Sequence, residues 1–244
     1  MTAGITQGVG QRLREAGPEE LAPLVDEWLG HLDPGAALLV LRNLHCTREV
    51  VRRLLGRPAL LHSYEVRREL AMHRFTPEID ALRLVPGLFW RDLVAVGRDT
   101  RVRPMVRRAA DQRLLERLSS LALGERVAIA RRASPSVLAA LRRDPNPRVL
   151  AAMLENPRLT EGLLMPLASS ENAAPAVLEV LAADQRWGIR YPVRCAIARN
   201  PRTPVATALR ILPLLKKVDL RAVASGRRLA EAVRRRARLL LGEA

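Results

Sequence analysis

The sequence predicts an all-α fold, an α-solenoid built as a superhelix of stacked short helix pairs, and three observations predict it. Residues 64–114 recur at 191–241, 127 positions later and without a gap, with 21 of 51 positions identical. Around and between the copies runs a shorter unit: Val-x-x-Ala, then four residues on a small polar residue and proline. It stands at Val127 to Ser134-Pro135, at Val149 to Asn156-Pro157 and at Val193 to Asn200-Pro201, spacings of 22 and 44 residues. Apolar residues recur every three or four positions, and alternating β-branched runs, the mark of a strand, are absent. A repeat this short cannot bury its apolar face alone, so neighbouring units must stack.

Taken in order, Met1 to Gly17 holds three glycines and little periodicity and is expected to be poorly ordered. Residues 18–62 are expected to form an acidic N-terminal cap of helices. Pro18-Glu19-Glu20 suits a first turn, with proline where no N–H is needed and acids at the positive helix end. Leu21, Leu24, Val25, Trp28, Leu29 and Leu32 supply its apolar stripe, and Asp33-Pro34-Gly35 stops it. A second helix spans Ala36 to His45, and Thr47 caps a third, Arg48 to Leu55. The repeat region is expected over 63–244, continuous with the cap as one domain. Ser63 caps a helix to about Arg74. Thr76-Pro77-Glu78 starts another, to about Leu88. Asp92 to Val96 is short, and Arg101 to Leu121 is long. From Gly124 to Arg190, helices of about ten residues alternate with Pro turns, because the residue before proline is pushed out of the α region.

Units such as Asp144-Pro145-Asn146-Pro147-Arg148-Val149 and Ala198-Arg199-Asn200-Pro201-Arg202-Thr203-Pro204 resemble the leucine-rich-repeat variant, a short helical repeat. Pro104-Met-Val-Arg-Arg-Ala-Ala and Glu231-Ala-Val-Arg-Arg-Arg-Ala resemble second helices of HEAT repeats. The resemblance covers roughly residues 47–244. It implies a HEAT-like, armadillo-type architecture and most often a protein-interaction scaffold. A minority of such proteins bind nucleic acid, among them a HEAT-like class of alkylpurine DNA glycosylases.

The formal charge is +16, and the basic residues are all arginine except Lys216 and Lys217. Residues 1–40 hold two arginines against six acids, a local −4, so the rest carries +20. Such a chain suits phosphates or carboxylates. The outward arginines Arg101, Arg103, Arg107 and Arg108 in one copy, and Arg228, Arg234, Arg235 and Arg238 in the other, form the expected partner-binding basic face. On the last helix Leu229, Val233, Ala237 and Leu240 make the apolar stripe, and Arg236 falls within it. The expected partner is an acidic protein segment held by arginine forks. Nucleic acid is the alternative. Two further pairs, Arg67 with Asp92 and Arg194 with Asp219, recur at one separation and read as structural ion pairs. Tyr64 and Tyr191 read as packing residues with a hydrogen-bonded hydroxyl.

A glycosylase would want a carboxylate beside tryptophan in a groove, and here Asp92 lies near Trp90 and Asp184 near Trp187. Aromatics make up only 3% of the chain, few for a protein that stacks bases. Four histidines (His31, His45, His62 and His73) and two cysteines (Cys46 and Cys195) show no metal-ligand spacing. No phosphate-cradling glycine loop or nucleophile elbow is present. We therefore expect a non-catalytic protein without cofactor or metal. No apolar run approaches the ~20 residues of a membrane span. The first ten residues do not look like a secretory signal, and unpaired cysteines fit a reducing, cytoplasmic setting.

Overall fold

The structure is a computed structural model that describes the backbone of residues 2–243 and the side chains of residues 8–243; Met1 lies outside the described residues. Every regular element among them is helical. The α-helices are α1 (Thr2–Glu15), α2 (Leu21–Trp28), α3 (Pro34–Arg42), α4 (Arg48–Leu55), α5 (Pro58–Leu61), α6 (Tyr64–Met72), α7 (Glu78–Leu84), α8 (Trp90–Arg98) and α9 (Pro104–Arg117). There follow α10 (Leu123–Ala130), α11 (Pro135–Leu141), α12 (Pro147–Leu154), α13 (Glu161–Ala168), α14 (Pro175–Ala183), α15 (Tyr191–Arg199), α16 (Val205–Ile211), α17 (Lys217–Ala224) and α18 (Glu231–Leu241). Short 3-10 turns cover Val85–Gly87, Leu118–Ser120 and Leu212–Leu214.

The chain divides into two compact units, Met1–Arg117 and Leu118–Ala244. Shifted by 127 residues, most element boundaries of unit 1 from α2 onward fall on those of unit 2, while α1 and α5 have no matching helix. Over the sequence repeat, α6, α7, the 3-10 turn, α8 and α9 fall on α15, α16, the 3-10 turn, α17 and α18. The correspondence also continues upstream, where identity has faded: α2, α3 and α4 fall on α12, α13 and α14 to within a residue or two. Val50, Val51 and Leu54 are buried, and so are Val177, Leu178 and Leu181 at the shifted positions. Cys46 and Leu60 correspond to buried Ala173 and Trp187.

Within each unit helices pack both on the next element, most closely α6 on α7, α8 on α9 and α17 on α18, and on the one two elements along. In unit 1, α1 packs on α3, α2 on α4, α6 on α8 and α7 on α9, while α3 meets α6 past the single-turn α5. In unit 2, α10 packs on α12, α12 on α14, α11 on α13, α13 on α15 and α16 on α18. Most helices have eight or nine residues, too short to hold in isolation. Burial of Val25, Ala37, Val40, Val66 and Leu70 on one side, and of Val149, Met153, Leu164, Leu178 and Val193 on the other, supplies the stabilisation. At roughly 25 cal/mol per Å² of apolar surface, each such side chain contributes about 1.5–3 kcal/mol.

Caps set the helix starts. Asp33 accepts from Ala36 N–H at 2.7 Å, Thr47 from Val50 at 3.4 Å and Ser63 from Val66 at 3.4 Å, the last two at the positions expected. Thr76 does not cap. It is buried with its hydroxyl unpartnered and Pro77 occupies the cap position, whereas its counterpart Thr203 donates to the Ile197 carbonyl at 2.6 Å. Pro18-Glu19-Glu20 forms a turn, and α2 begins only at Leu21. The N-terminal stretch, expected to be poorly ordered, contains α1. Buried Leu13 and the side-chain amide of Asn43 tie its C-terminal end down.

That amide is one case of a general device at the helix ends. Asn43, His73, Asp99, Asp144, Asn156, Ser170, Asp184 and Asn200 each accept from the N–H two residues on, at 2.8–3.3 Å. Where the residue is asparagine, its NH₂ group also reaches the C-terminal carbonyls of the helix beneath. Asn43 donates to Leu13, Arg14 and Ala16 at 3.0–3.2 Å. Asn156 donates to Ala130 and Ala133 at 2.9 and 3.1 Å, and Asn200 to Ala168 and Ser170, both at 2.8 Å. Helix-terminal carbonyls have no partner within their own helix. One buried side chain therefore ends its own helix and satisfies the end of its neighbour. Asn200→Ala should lower the unfolding free energy by about 2–3 kcal/mol, because it strands the Ala168 carbonyl and the Arg202 N–H and takes one of two donors from the Ser170 carbonyl. Urea denaturation checks this, with Arg202→Ala, which keeps the same backbone groups satisfied, as the mild control.

Candidate interaction surface

In each unit a tyrosine organises the turn before the penultimate helix. Tyr64, at the start of α6, receives the Phe89 N–H at 3.0 Å and donates its hydroxyl to Asp92 in a short hydrogen bond. Tyr191 does the same at the start of α15, receiving Lys216 N–H at 2.9 Å and donating to Asp219. Desolvation, and then the carboxylate beside it, push the Tyr191 phenol up to about 12 and raise that of Tyr64. Phe89 stacks on Tyr64 at 4.4 Å, and Lys216 lies 5.0 Å over the Tyr191 ring.

This corrects the expected ion pairs. Arg67 does not hold Asp92: it lies 6.0 Å from the Tyr64 ring centre, its Nε buried without a partner, and the nearest cation to Asp92 is Arg68 at 4.0 Å. Arg194 donates to the Gly188 carbonyl at 3.1 Å, and Asp219 is met by Arg199 at 2.5 Å. Tyrosine, arginine and aspartate are all retained in both copies, and the phenol is the partner that reaches.

The eight arginines of the expected face have divided fates. Arg101 folds back on Asp99 with contacts of 2.7–3.2 Å, which holds that carboxyl below the usual range. Arg103 approaches Glu78 at 4.0 Å. Arg228 pairs with Glu171, and Arg234 with Glu231, which also lies 3.6 Å from Arg238. At least one partner of each pair is solvent-exposed, and such pairs are worth about 1 kcal/mol or less each. Arg107 and Arg234 occupy the same repeat position, half-buried with the Nε shielded from solvent. Arg108 and Arg235 are exposed. Arg236 also points to solvent rather than lying within the stripe of Leu229, Val233 and Ala237.

Local spacing along the chain missed where the surplus sits. Unit 2 has 22 Lys and Arg against 10 Asp and Glu, a net +12, and unit 1 has 19 against 15, a net +4. On α17, Lys217 and Arg221 are exposed one turn apart. On α18, Arg235 and Arg238 are exposed with Arg236 on the flank, and Arg227 stands in the preceding turn. Val218 and Leu239 lie among them with most or half of their surface open.

The tryptophan arrangement a glycosylase would need does not form. Trp187 is buried in unit 2, its Nε1 donating to the Leu154 carbonyl at 3.4 Å, while Asp184 is engaged by the backbone N–H groups of Arg186 and Trp187. Asp92 is spent on Tyr64. Both cysteines are free thiols, and burial pushes Cys46 up to about 11, far from a reactive thiolate. Among the described residues no group of three or more His, Cys, Asp or Glu is placed to hold a metal ion. None of the helices is long and apolar enough to cross a membrane. Comparison with protein-family models, curated proteins and solved structures gives no match.

The tyrosine assignment is open to a double-mutant cycle. Tyr64→Phe should cost about 1–2 kcal/mol and couple to Asp92→Ala by about 1 kcal/mol, whereas Arg67→Ala should show no coupling to Asp92→Ala. Chemical denaturation of the four variants in each cycle measures both.

Proposed function

We propose that this protein is a non-catalytic interaction scaffold, an α-solenoid of HEAT-like helix pairs whose arginine-rich surface docks an acidic protein segment. Packing of each helix on its neighbour and on the next but one inside each unit supports the architecture, since stacked helix pairs bury their apolar faces in both ways. The observation that carries the docking surface is the basic surplus of unit 2, a net +12, part of which, Lys217, Arg221, Arg235, Arg236 and Arg238, is exposed on α17 and α18. Arg228 and Arg234 are already matched by acids of their own chain, and Lys217, Arg221, Arg235 and Arg236 lie outside those pairs. Guanidinium forks engage carboxylates in two-pronged contacts, and exposed Val218 and Leu239 offer apolar contact between charges. An acidic protein fits this surface better than single-stranded nucleic acid. The two aromatic rings of unit 2 are Trp187, which is buried, and Tyr191, which is covered by Lys216, so neither is free to stack on a base. A reducing, cytoplasmic setting suits its free thiols.

The test uses a fluorescent polyglutamate peptide and a random-sequence DNA duplex as probes. Peptide binding should weaken about tenfold or more when Lys217, Arg221, Arg235 and Arg236 are replaced together by glutamate, and it should weaken with rising salt. Unchanged peptide binding by that variant, with circular dichroism showing it folded, rejects the surface. Preference for the duplex, with a steep logarithmic salt slope, would replace the protein partner by a nucleic acid.

A further inference from the structure

The two units share one joint design and differ at one residue of it. Asn200 in unit 2 and His73 in unit 1 are the same repeat position, each directly after the helix it ends. The backbone is alike at both, φ −82° and ψ 121° at Asn200 and φ −73° and ψ 130° at His73. The bonds are alike as well. Asn200 accepts from Arg202 N–H at 2.9 Å and donates to Ala168, the last residue of α13. His73 accepts through Nδ1 from Phe75 N–H at 3.3 Å, and its ring hydrogen-bonds the carbonyl of Leu41, the repeat counterpart of Ala168. The imidazole thus stands in for the carboxamide, with one nitrogen in each of its two roles. That division requires the neutral ring with the proton on Nε2.

We propose that His73 makes the α3–α6 joint of unit 1 proton-sensitive, so that protonation loosens this contact while the Asn200 joint of unit 2 stays indifferent to pH. A second proton goes onto Nδ1, where the Phe75 N–H already points. Two donors then face each other, and the acceptor that closes the turn after α6 is lost. The Asn200 carboxamide carries no proton to gain or lose in this range and undergoes no such change.

The charges around the ring come from every neighbouring element. Glu69 on α6 favours the protonated ring, and the adjacent Arg74 opposes it. Across a groove of about 550 Å³ stand Asn43 after α3, Arg68 on α6, Asp92 on α8, and Asp99 with Arg101 after α8. Asp99 is neutralised by Arg101, and Asp92 is engaged by Tyr64. Desolvation is the leading influence and favours the neutral ring, so the folded protein binds this proton more weakly than the unfolded chain does. The sign follows: stability from this joint is complete above about pH 6.5 and is lost as pH falls below that value. The proposal is independent of the basic docking surface, because it concerns unit 1 and needs no partner.

Native-state hydrogen exchange on the full chain tests it. The protection factor of the Phe75 amide should fall by up to about tenfold per pH unit below about pH 6.5, while that of the Arg202 amide stays flat. His73→Asn should abolish the dependence at Phe75, and Asn200→His should introduce it at Arg202. A His73→Asn protein with unchanged pH dependence, or a wild-type Phe75 amide without any, overturns the proposal. Imidazole ¹⁵N NMR on the wild-type protein provides a check that needs no variant. The Nε2–H tautomer at pH 7.5 with titration below 6.5 supports the joint, and titration at or above 6.5 rejects it.

Discussion

The constraint on which the rest of this structure depends is the need to finish many very short helices. A helix of eight residues leaves half of its carbonyls and half of its N–H groups without an intrahelical partner. Stacking such helices buries those groups, and a buried orphan costs about 1–3 kcal/mol. The chain meets this with one polar side chain per joint. Asn43, Asn156 and Asn200 each close a turn with their oxygen and cover a neighbouring helix end with their nitrogen. The apolar core supplies the larger energy, but it is the amide that specifies which helix end meets which turn.

Much of the fold was legible because its signals are local. The Ser63 and Thr47 caps, the Pro-started helices and the 127-residue duplication all lie within reach of a spacing argument. The amide joints were not, since the carbonyls they cover lie 23–32 residues earlier and nothing in Asn-Pro announces them beyond a break. The earlier half of the duplication was hidden for a related reason. Burial at Val50, Val51 and Leu54 is kept at Val177, Leu178 and Leu181, but the residue types drift within what packing tolerates. The structural pair failed differently: Tyr64, Arg67 and Asp92 are retained together, and co-retention of three residues does not say which two of them touch.

The candidate surface was legible only as a direction. Helical periodicity identifies arginines that leave a stripe, of which Arg108, Arg235 and Arg238 are exposed while Arg107 and Arg234 are half-buried. It cannot see the acids that reach them from elsewhere. Glu171 is 57 residues from Arg228, and Glu78 is 25 positions before Arg103. The basic surplus lies mostly in unit 2 and includes α17, whose Lys217 and Arg221 had not stood out beside the denser arginine clusters. Charge on this protein is in part structural cement and in part display, and only folding separates the two.

Gly242 is the only described residue with a positive φ. Every other turn between helices is made in backbone regions open to any L-amino acid, with residues such as Asn43, Asp99, Asp184 and Asn200 in extended conformation. Repeat families that turn on left-handed glycines must preserve each of those glycines through every duplication, because a side chain there is strained. This chain carries no such debt. Asparagine, aspartate, serine and histidine have all filled the seam position here, although the turn after α14 also needs Gly188, where a Cβ would meet the carbonyls of Leu181, Ala182 and Asp184. Several polar residues can therefore close such joints on equal terms, as His73 and Asn200 do at one repeat position.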